Sequence, residues 1–325
     1  MKNILITGGA GFIGSQLTSF LLSDTEYNVF VIDNFDPFYP KEIKEKNISS
    51  FLTNAFYTFI NGDIRNYEVL NSLPQIDIIV HLAAKAGVRA SINNPIDYQD
   101  VNVAGTLNLL EYARKQNITQ FVFASSSSVY GLNPDSPWKE NAELLPISPY
   151  AWSKISNEML GRVYSQLYNI RFIALRFFTV YGPSQRPDLA INKFFRNIRD
   201  DQPIPVYGSG ESIRDYTHVS DVVDGITKAM LYDSSNFEIF NIGCGNPITL
   251  NHLIQKIETL CDRKAKIVNY PVQQGDVPVT YADVGKANKL LGYSSKISIE
   301  FGLKEYSEWF FQNEISPLKL TDSKL

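Results

Sequence analysis

The sequence predicts an α/β protein built on a doubly wound parallel sheet, with a smaller mixed domain after it, and three observations predict this. Short runs rich in branched apolar residues alternate with helix-compatible stretches. A glycine cluster stands where the first run gives way to the first helix. Beyond Arg176 the chain turns rich in proline and glycine.

Strand-like runs fall at 3–7, 28–33, 57–61, 77–81, 120–125 and 171–176. Helical periodicity between most of them is the βαβ rhythm that covers a parallel sheet on both faces. The longest helical candidates are 98–115 and 150–168, the second opened by Pro149, which a first helical turn tolerates. After Arg176, Gly182-Pro183, Pro187, Pro203, Pro205, Gly208 and Gly210 mark the change to loops. The expected layout is a dinucleotide-binding domain at 1–178, a smaller domain at 179–315 whose segments are free to interleave with the first, and a loose tail at 316–325.

A chain of 325 residues buries a sizeable core, and a net charge of -4 gives no global basic field of the kind nucleic acid or an anionic membrane requires. No apolar run reaches membrane-spanning length. Cys244 and Cys261 form neither a disulfide framework nor a metal spacing, which fits a reducing, cytoplasmic setting. His81, His218 and His252 are scattered, so no metal site is expected, and His81, ending an apolar run, reads as structural.

Gly8-Gly9-Ala10-Gly11-Phe12-Ile13-Gly14 follows the first strand and opens a helix. Glycine lets backbone approach a pyrophosphate, and the free amides of the helix N-terminus face the anion. Asp33 ends the second strand, where a carboxylate binds ribose hydroxyls and repels a 2′-phosphate, favouring NAD over NADP. Asp63 follows the third strand and reads either as an adenine contact or as an ordinary turn aspartate. Ala83 and Ala84, after the fourth, leave room beside a cofactor.

Ser125-Ser126-Ser127-Ser128 lies at the carboxyl edge of the sheet, where open α/β folds bind ligands. Tyr150 and Lys154 stand one turn apart at the start of a helix and share a face. A neighbouring ammonium and a positive nicotinamide both favour the phenolate, which then takes or returns a hydroxyl proton. The competing reading makes Lys154 the partner of Glu158 in a surface ion pair and Tyr150 a core residue.

Through Gly8, Gly11, Gly14, Ser126 and Tyr150-Ala151-Trp152-Ser153-Lys154, residues 2–312 resemble the extended short-chain dehydrogenase/reductase family, and within it the nucleotide-sugar epimerases. The resemblance implies a Rossmann domain and a tightly held NAD that oxidises the sugar to a ketone and returns hydride to its other face after the ketone turns over. It implies that Ser126 hydrogen-bonds the reacting oxygen, that Tyr150 is the base, and that Lys154 lowers its pKa and holds the nicotinamide ribose. The residues expected to hold NAD are Gly8, Gly11, Phe12, Ile13, Gly14, Asp33, Asn34, Asp63, Ile64, Ala83, Ala84 and Asn102, together with Tyr150 and Lys154.

Related dehydratases carry an Asp-Glu pair where Ser127 and Ser128 stand, and sugar-acid decarboxylases carry a Glu at the second place. Without those acids, simple epimerisation fits better. The segments 33–40, 85–89 and 176–188 resemble UDP-glucuronate 4-epimerases. Galactose-type enzymes more often have Asn at the place of Thr179. Ser127, Ser128, Thr179, Arg89 and Arg186 are the candidate donors to a sugar carboxylate. Arg214 resembles the diphosphate-binding arginine and Asp276 the uridine-ribose carboxylate, with a turn residue as the alternative for Asp276.

Two departures from the pattern are Ser184, where an arginine is usual, and Trp152, where a small or aliphatic residue is usual. The two long helices are expected to pair across a two-fold in a homodimer, with single-chain core packing as the alternative. Rival functions are 4-epimerisation of neutral UDP-hexoses or UDP-N-acetylhexosamines, a net dehydrogenase, and a non-catalytic dinucleotide-binding protein.

Overall fold

The computed structural model describes residues 1–23 and 26–313; the tail expected at 316–325 lies outside the described residues. Its strands are β1 (Lys2–Thr7), β2 (Tyr27–Asp33), β3 (Tyr57–Asn61), β4 (Ile78–His81), β5 (Gln120–Ser126), β6 (Arg171–Phe177), β7 (Thr179–Tyr181), β8 (Pro203–Tyr207), β9 (Ile213–Arg214), β10 (Tyr216–His218), β11 (Phe237–Ile242), β12 (Ile248–Thr249) and β13 (Lys266–Tyr270). Seven of them form one parallel sheet in the order β11-β6-β5-β4-β1-β2-β3. The order reverses between β1 and β4, where Thr7 pairs with His81, and the crevice at such a reversal is where open α/β sheets bind ligands.

Alternate strand residues feed two cores, one on each face, as a period of two requires. Ile4, Ile6, Val29, Val31, Ile78 and Val80 meet Leu17 and Leu21 of helix Phe12–Leu22 and Val222 and Ile226 of helix Val219–Leu231. Leu5, Ile32, Ile79, Phe121 and Phe123 meet Leu109, Leu110 and Tyr112 of helix Gly105–Lys115. Each such aliphatic or aromatic side chain contributes about 1.5–3 kcal/mol by leaving water. A third cluster, with Phe194, Phe195, Leu253, Ile257, Leu303 and Phe310, is the core of a smaller lobe.

One feature differs from the sequence expectation. The stretch expected as one helix at 98–115 contains a π-helical turn, Gln99–Ala104, between the short helix Pro95–Tyr98 and helix Gly105–Lys115. Within it the Asn102 carbonyl accepts from Thr106 Oγ1 and from Asn157 Nδ2, and such side-chain bonds compete with regular helix geometry. The stretch expected as the smaller domain, with segments free to interleave, is threaded through the large sheet. Helix Val219–Leu231 and β11 return from it to the large sheet, drawn by Phe240 and Ile242, which are fully buried.

Candidate active site

A cavity of about 530 Å³ opens along the carboxyl edge of the sheet over the β1/β4 reversal. Its inner end is the glycine turn. Gly8 has φ +72°, and a Cβ there would come within 2.8 Å of the Ala83 backbone. A Cβ on Gly14 would come within 2.4 Å of the Gly8 carbonyl oxygen. Gly11 caps helix Phe12–Leu22 with no side-chain hydrogen bond, so the first amides remain for an anion. This backbone cradle, closed to any Cβ, fits a dinucleotide pyrophosphate.

Phe12, Ile13, Asp33, Asn34, Asp63, Ile64, Ala83 and Ala84 line the same end. Asp33 accepts from the Ala10 and Phe35 amides at 3.1 and 2.8 Å, which ties the glycine turn to the end of β2. Burial raises its carboxyl pKa, opposed by the Lys44 ammonium and the two amides. Asp63 accepts from Arg65 Nε at 3.0 Å, from Arg65 Nη2 at 2.8 Å and from Asn34 Nδ2 at 2.9 Å, bonds that hold its pKa down at about 2. It also accepts from the Arg65 amide at 2.9 Å, so the turn geometry and the place in the wall coexist.

Asn102 stands behind that wall. It is 1 % exposed, its Oδ1 accepts from the Lys85 amide, and its Nδ2 donates to the Lys85 carbonyl and Ser153 Oγ. Those bonds make it a brace between the loop after β4 and helix Pro149–Tyr168. His81 Nδ1 is 2.7 Å from Thr7 Oγ1 and Nε2 is 2.9 Å from Thr106 Oγ1, a closed structural set that burial keeps neutral by lowering the imidazole pKa to about 3.

Lys44 escaped the sequence reading, and Tyr39 entered it only as part of the segment 33–40. Lys44 and Tyr39 line the cavity, with Lys44 Nζ 4.7 Å over the Tyr39 ring and donating to the Asp36 carbonyl at 2.8 Å. Lys44 belongs to the lysine-rich helix Lys41–Ile48, whose composition marks a solvated face, so no local signal separated it from Lys41 and Lys46.

The middle of the cavity brings Ser126, Tyr150 and Lys154 together. Ser148 caps helix Pro149–Tyr168 by accepting from the Ala151 amide at 3.1 Å, which sets Tyr150 in the first turn, in the same cavity wall as Ser126. The Tyr98 ring meets the Tyr150 ring edge-on at 6.3 Å. Burial raises the Tyr150 pKa, with the Ser126 hydroxyl and the Arg186 charge acting against it. Lys154 is 3 % exposed, donates from Nζ to the Ala124 carbonyl at 2.7 Å, and lies 5.7 Å over the Tyr150 ring. Burial brings the ammonium down to about 7, opposed by Glu158. The surface ion pair with Glu158 is not made, because Arg176 holds the Glu158 carboxylate at 2.8 Å in the core.

At the outer end, Ser127, Ser128, Thr179, Arg186, Arg214 and Asp276 line the cavity. Ser128 Oγ donates to Ser126 Oγ at 3.0 Å. Arg186 is held by Asp188 through bonds of 3.0 and 2.8 Å, and its guanidinium lies 5.2 Å from the centre of the Phe38 ring. Arg214 donates from Nη1 to the Ile213 and Pro278 carbonyls, and burial lowers its pKa. Arg89 is turned out of the cavity wall: it donates to Asp276 at 2.9 Å and stacks over Tyr207 at 4.7 Å.

The two departures also find their places. Ser184, at φ +64°, accepts from Gln16 Nε2 at 3.4 Å. Trp152 stands 46 % exposed on the outer side of its helix, with Met159, Val163 and Leu167, away from the cavity. Cys244 and Cys261 are free thiols. Among the described residues no cluster of three His, Cys, Asp or Glu side chains is arranged to hold a metal, and no helix is long and apolar enough to cross a membrane.

Comparison with known proteins adds to this geometry. The model of the NAD dependent epimerase/dehydratase family matches residues 4–243. The chain is 39 % identical over 319 residues to a UDP-glucuronate 4-epimerase of Thermodesulfobacterium geofontis, covering 96 % of this chain and 97 % of that one. It is similar to the crystal structure of UDP-glucuronic acid 4-epimerase from Bacillus cereus in complex with UDP-glucuronic acid and NAD. There the TM-score is 0.91 and the identity 35 %, over 95 % of this chain and 99 % of that one. A UDP-glucose 4-epimerase of Thermotoga maritima, solved with UDP-glucose, is similar with a TM-score of 0.88 and 34 % identity, over 95 % of this chain and 99 % of that one.

Proposed function

The chain belongs to the NAD-dependent epimerase/dehydratase family, and from that premise we propose that it inverts C4 of UDP-glucuronate to give UDP-galacturonate. The family's cofactor is NAD, which when bound accepts a hydride from the sugar carbon and gives it back. Gly8, Gly11 and Gly14 with the following helix amides would hold its pyrophosphate, and Asp33 with Lys44 its adenosine ribose. Tyr150 takes the proton of the reacting hydroxyl and returns it, Ser126 orients that oxygen, and Lys154 favours the phenolate by its charge. Arg214 would meet the diphosphate and Asp276 the uridine ribose.

One observation carries the uronate reading: the hydroxyls of Ser127, Ser128 and Thr179 share the cavity with Ser126 and Tyr150. A sugar carboxylate needs such donors, and no acid at 127 or 128 offers a proton for elimination. The ketone formed on the way is a β-keto acid, which loses carbon dioxide when its carboxylate bond aligns with the carbonyl π system. Hydroxyls that grip the carboxylate hold it out of that alignment. The outward turn of Arg89 and the likeness to a UDP-glucose enzyme favour a second reading, 4-epimerisation of a neutral UDP-hexose.

The deciding experiment supplies UDP-glucuronate, UDP-glucose and UDP-N-acetylglucosamine separately, without added cofactor, and identifies products by NMR. Conversion of UDP-glucuronate is expected. Conversion of a neutral sugar alone would overturn the substrate assignment, and stoichiometric NADH release would mark a net dehydrogenase. The exposed row Trp152, Met159, Val163 and Leu167, continued by Leu107, is the face through which we propose a homodimer. A cytoplasmic setting is part of this proposal, and the two free thiols support it.

A further inference from the structure

Behind the cavity, polar side chains occupy a layer of the core. Glu158, one turn beyond Lys154, is fully buried. Its Oε1 accepts from Ser125 Oγ at 2.6 Å and from Arg176 Nε at 2.9 Å, and its Oε2 accepts from Arg176 Nη2 at 2.8 Å. Arg176 is 2 % exposed and donates from Nη1 to Tyr130 Oη at 3.0 Å and to the Glu140 carbonyl at 3.1 Å. Ser125 and Arg176 are register partners on β5 and β6.

A buried ion pair is weak support for stability, since a well-packed apolar pair of the same volume serves as well or better. Its position suggests a different role. Ser125 lies between Ala124, whose carbonyl receives Lys154, and Ser126, which shares the cavity wall with Tyr150. The carboxylate that grips Ser125 therefore fixes the short stretch of β5 that both groups use. It also stands on the same helix as the buried Lys154 ammonium, a second cation in one desolvated layer.

We propose that Glu158 is a positioning residue of the catalytic site. Clamped by Arg176, it fixes the end of β5 against helix Pro149–Tyr168 and supplies the negative charge that keeps Lys154 an ammonium beside Tyr150. This role rests on the catalytic reading of Tyr150 and Lys154 given above.

The groups facing Lys154 are Glu158 and Tyr150 on its own helix, His81 from β4, and the Ala124 carbonyl and Phe123 ring from β5. Facing Glu158 are Arg176 from β6, Ser125 from β5 and, beyond Arg176, Tyr130 and Glu140. His81 stays neutral at working pH, so it does not share the titration. With Lys154 already brought down to about 7 by burial, removal of the Glu158 charge lowers it further.

The test is Glu158→Gln, purified with its bound cofactor and compared with wild type in kcat, KM and the pH profile of kcat. The expected result is a kcat lower by about ten-fold or more with KM within about two-fold. The alkaline limb should move to lower pH by about one unit or more. An unchanged kcat and pH limb, with at most a lower melting temperature, overturns the proposal. If this variant is insoluble, Ser125→Ala, which strips one hydrogen bond from the same carboxylate, decides through the kcat and KM split: a lower kcat at unchanged KM supports the role, and an unchanged kcat ends it. Tyr150→Phe and Lys154→Met run alongside keep the two levels apart. Retained activity in them fells the catalytic reading and the proposal with it, whereas their inactivity with an unmoved Glu158→Gln profile fells the positioning role alone.

Discussion

Arg89 and Asp276 meet at 2.9 Å, although the sequence offers one as a donor to the sugar acid and the other, by resemblance, as a ligand of the uridine ribose. The pair joins helix Val88–Asn93 to the turn at Gly275, where a Cβ would come within 2.9 Å of Val88. Asp276 faces the cavity while Arg89 supports it from outside. With side chains 48 % and 28 % exposed, the pair contributes at most about 1 kcal/mol to stability. Arg89→Ala is therefore expected to fold normally and to change KM for charged and neutral UDP-sugars alike, by acting through Asp276. A rise in KM confined to UDP-glucuronate would return Arg89 to the sugar carboxylate.

Tyr150→Phe removes the proposed proton-transfer group and leaves the ring contact with Tyr98. Loss of the acid-base step is expected to lower kcat by about 10²–10⁴-fold. Product formation followed by NMR, with NAD content measured on the same sample, checks it. Full activity with cofactor bound would end the assignment of Tyr150 as the base.

Gly14→Ala places a methyl 2.4 Å from the Gly8 carbonyl oxygen, on backbone that has no flexible end to move aside. Overpacking of this kind costs about 1–3 kcal/mol. The turn must open, and the cradle for the pyrophosphate opens with it. The variant is expected to purify without dinucleotide, as read by acid release and chromatography, and to melt below wild type. Wild-type cofactor content would show that the turn is not the anchor.

Thr179→Val combined with Ser127→Ala strips two hydroxyls from the outer end of the cavity. If they hold the carboxylate away from the carbonyl π system, the double variant releases carbon dioxide and accumulates a UDP-pentose from UDP-glucuronate. NMR of the product mixture detects it directly. A product mixture identical to that of wild type would remove these hydroxyls from any protective role.

His81 gives the acid limb of stability. Its imidazole is held neutral down to about 3 in the folded protein, against an ordinary value near 6.5. Below about 6.5 the unfolded chain therefore takes up a proton that the native state refuses, and stability falls as pH drops toward 3. The slope from this group reaches about 1.4 kcal/mol per pH unit. Urea melts between pH 7 and pH 5 are expected to show stability falling ever more steeply, toward that limiting slope near pH 5, in wild type and a flatter course in His81→Gln. Equal slopes would clear His81 of the effect.

The parallel strands were legible because both faces of each strand are covered, so branched residues fill nearly every position of Ile4–Ile6, Val29–Ile32 and Ile78–Val80. The glycine turn was legible because its residues lie in one unbroken segment, each there for a local reason. Relations without a period were not. Glu158 is four residues from Lys154, and helical spacing suggested that pair, yet the partner that holds it is Arg176 on another strand. Arg89 and Asp276 are joined only by the fold. The π-helical turn at Gln99–Ala104 is set by the bonds around Asn102, and the expected 3.6-residue period ran straight through it.

The return of β11 to β6 also sets the order in which this chain becomes a protein during synthesis. Until residue 242 has left the ribosome, the Arg171–Phe177 strand is a bare edge, with a row of unpaired amides and carbonyls along its outer side. Everything between those strands, β7 to β10 and the helices among them, must be delivered before that edge is closed. The nascent polypeptide thus carries an adhesive border for the time taken to translate those residues.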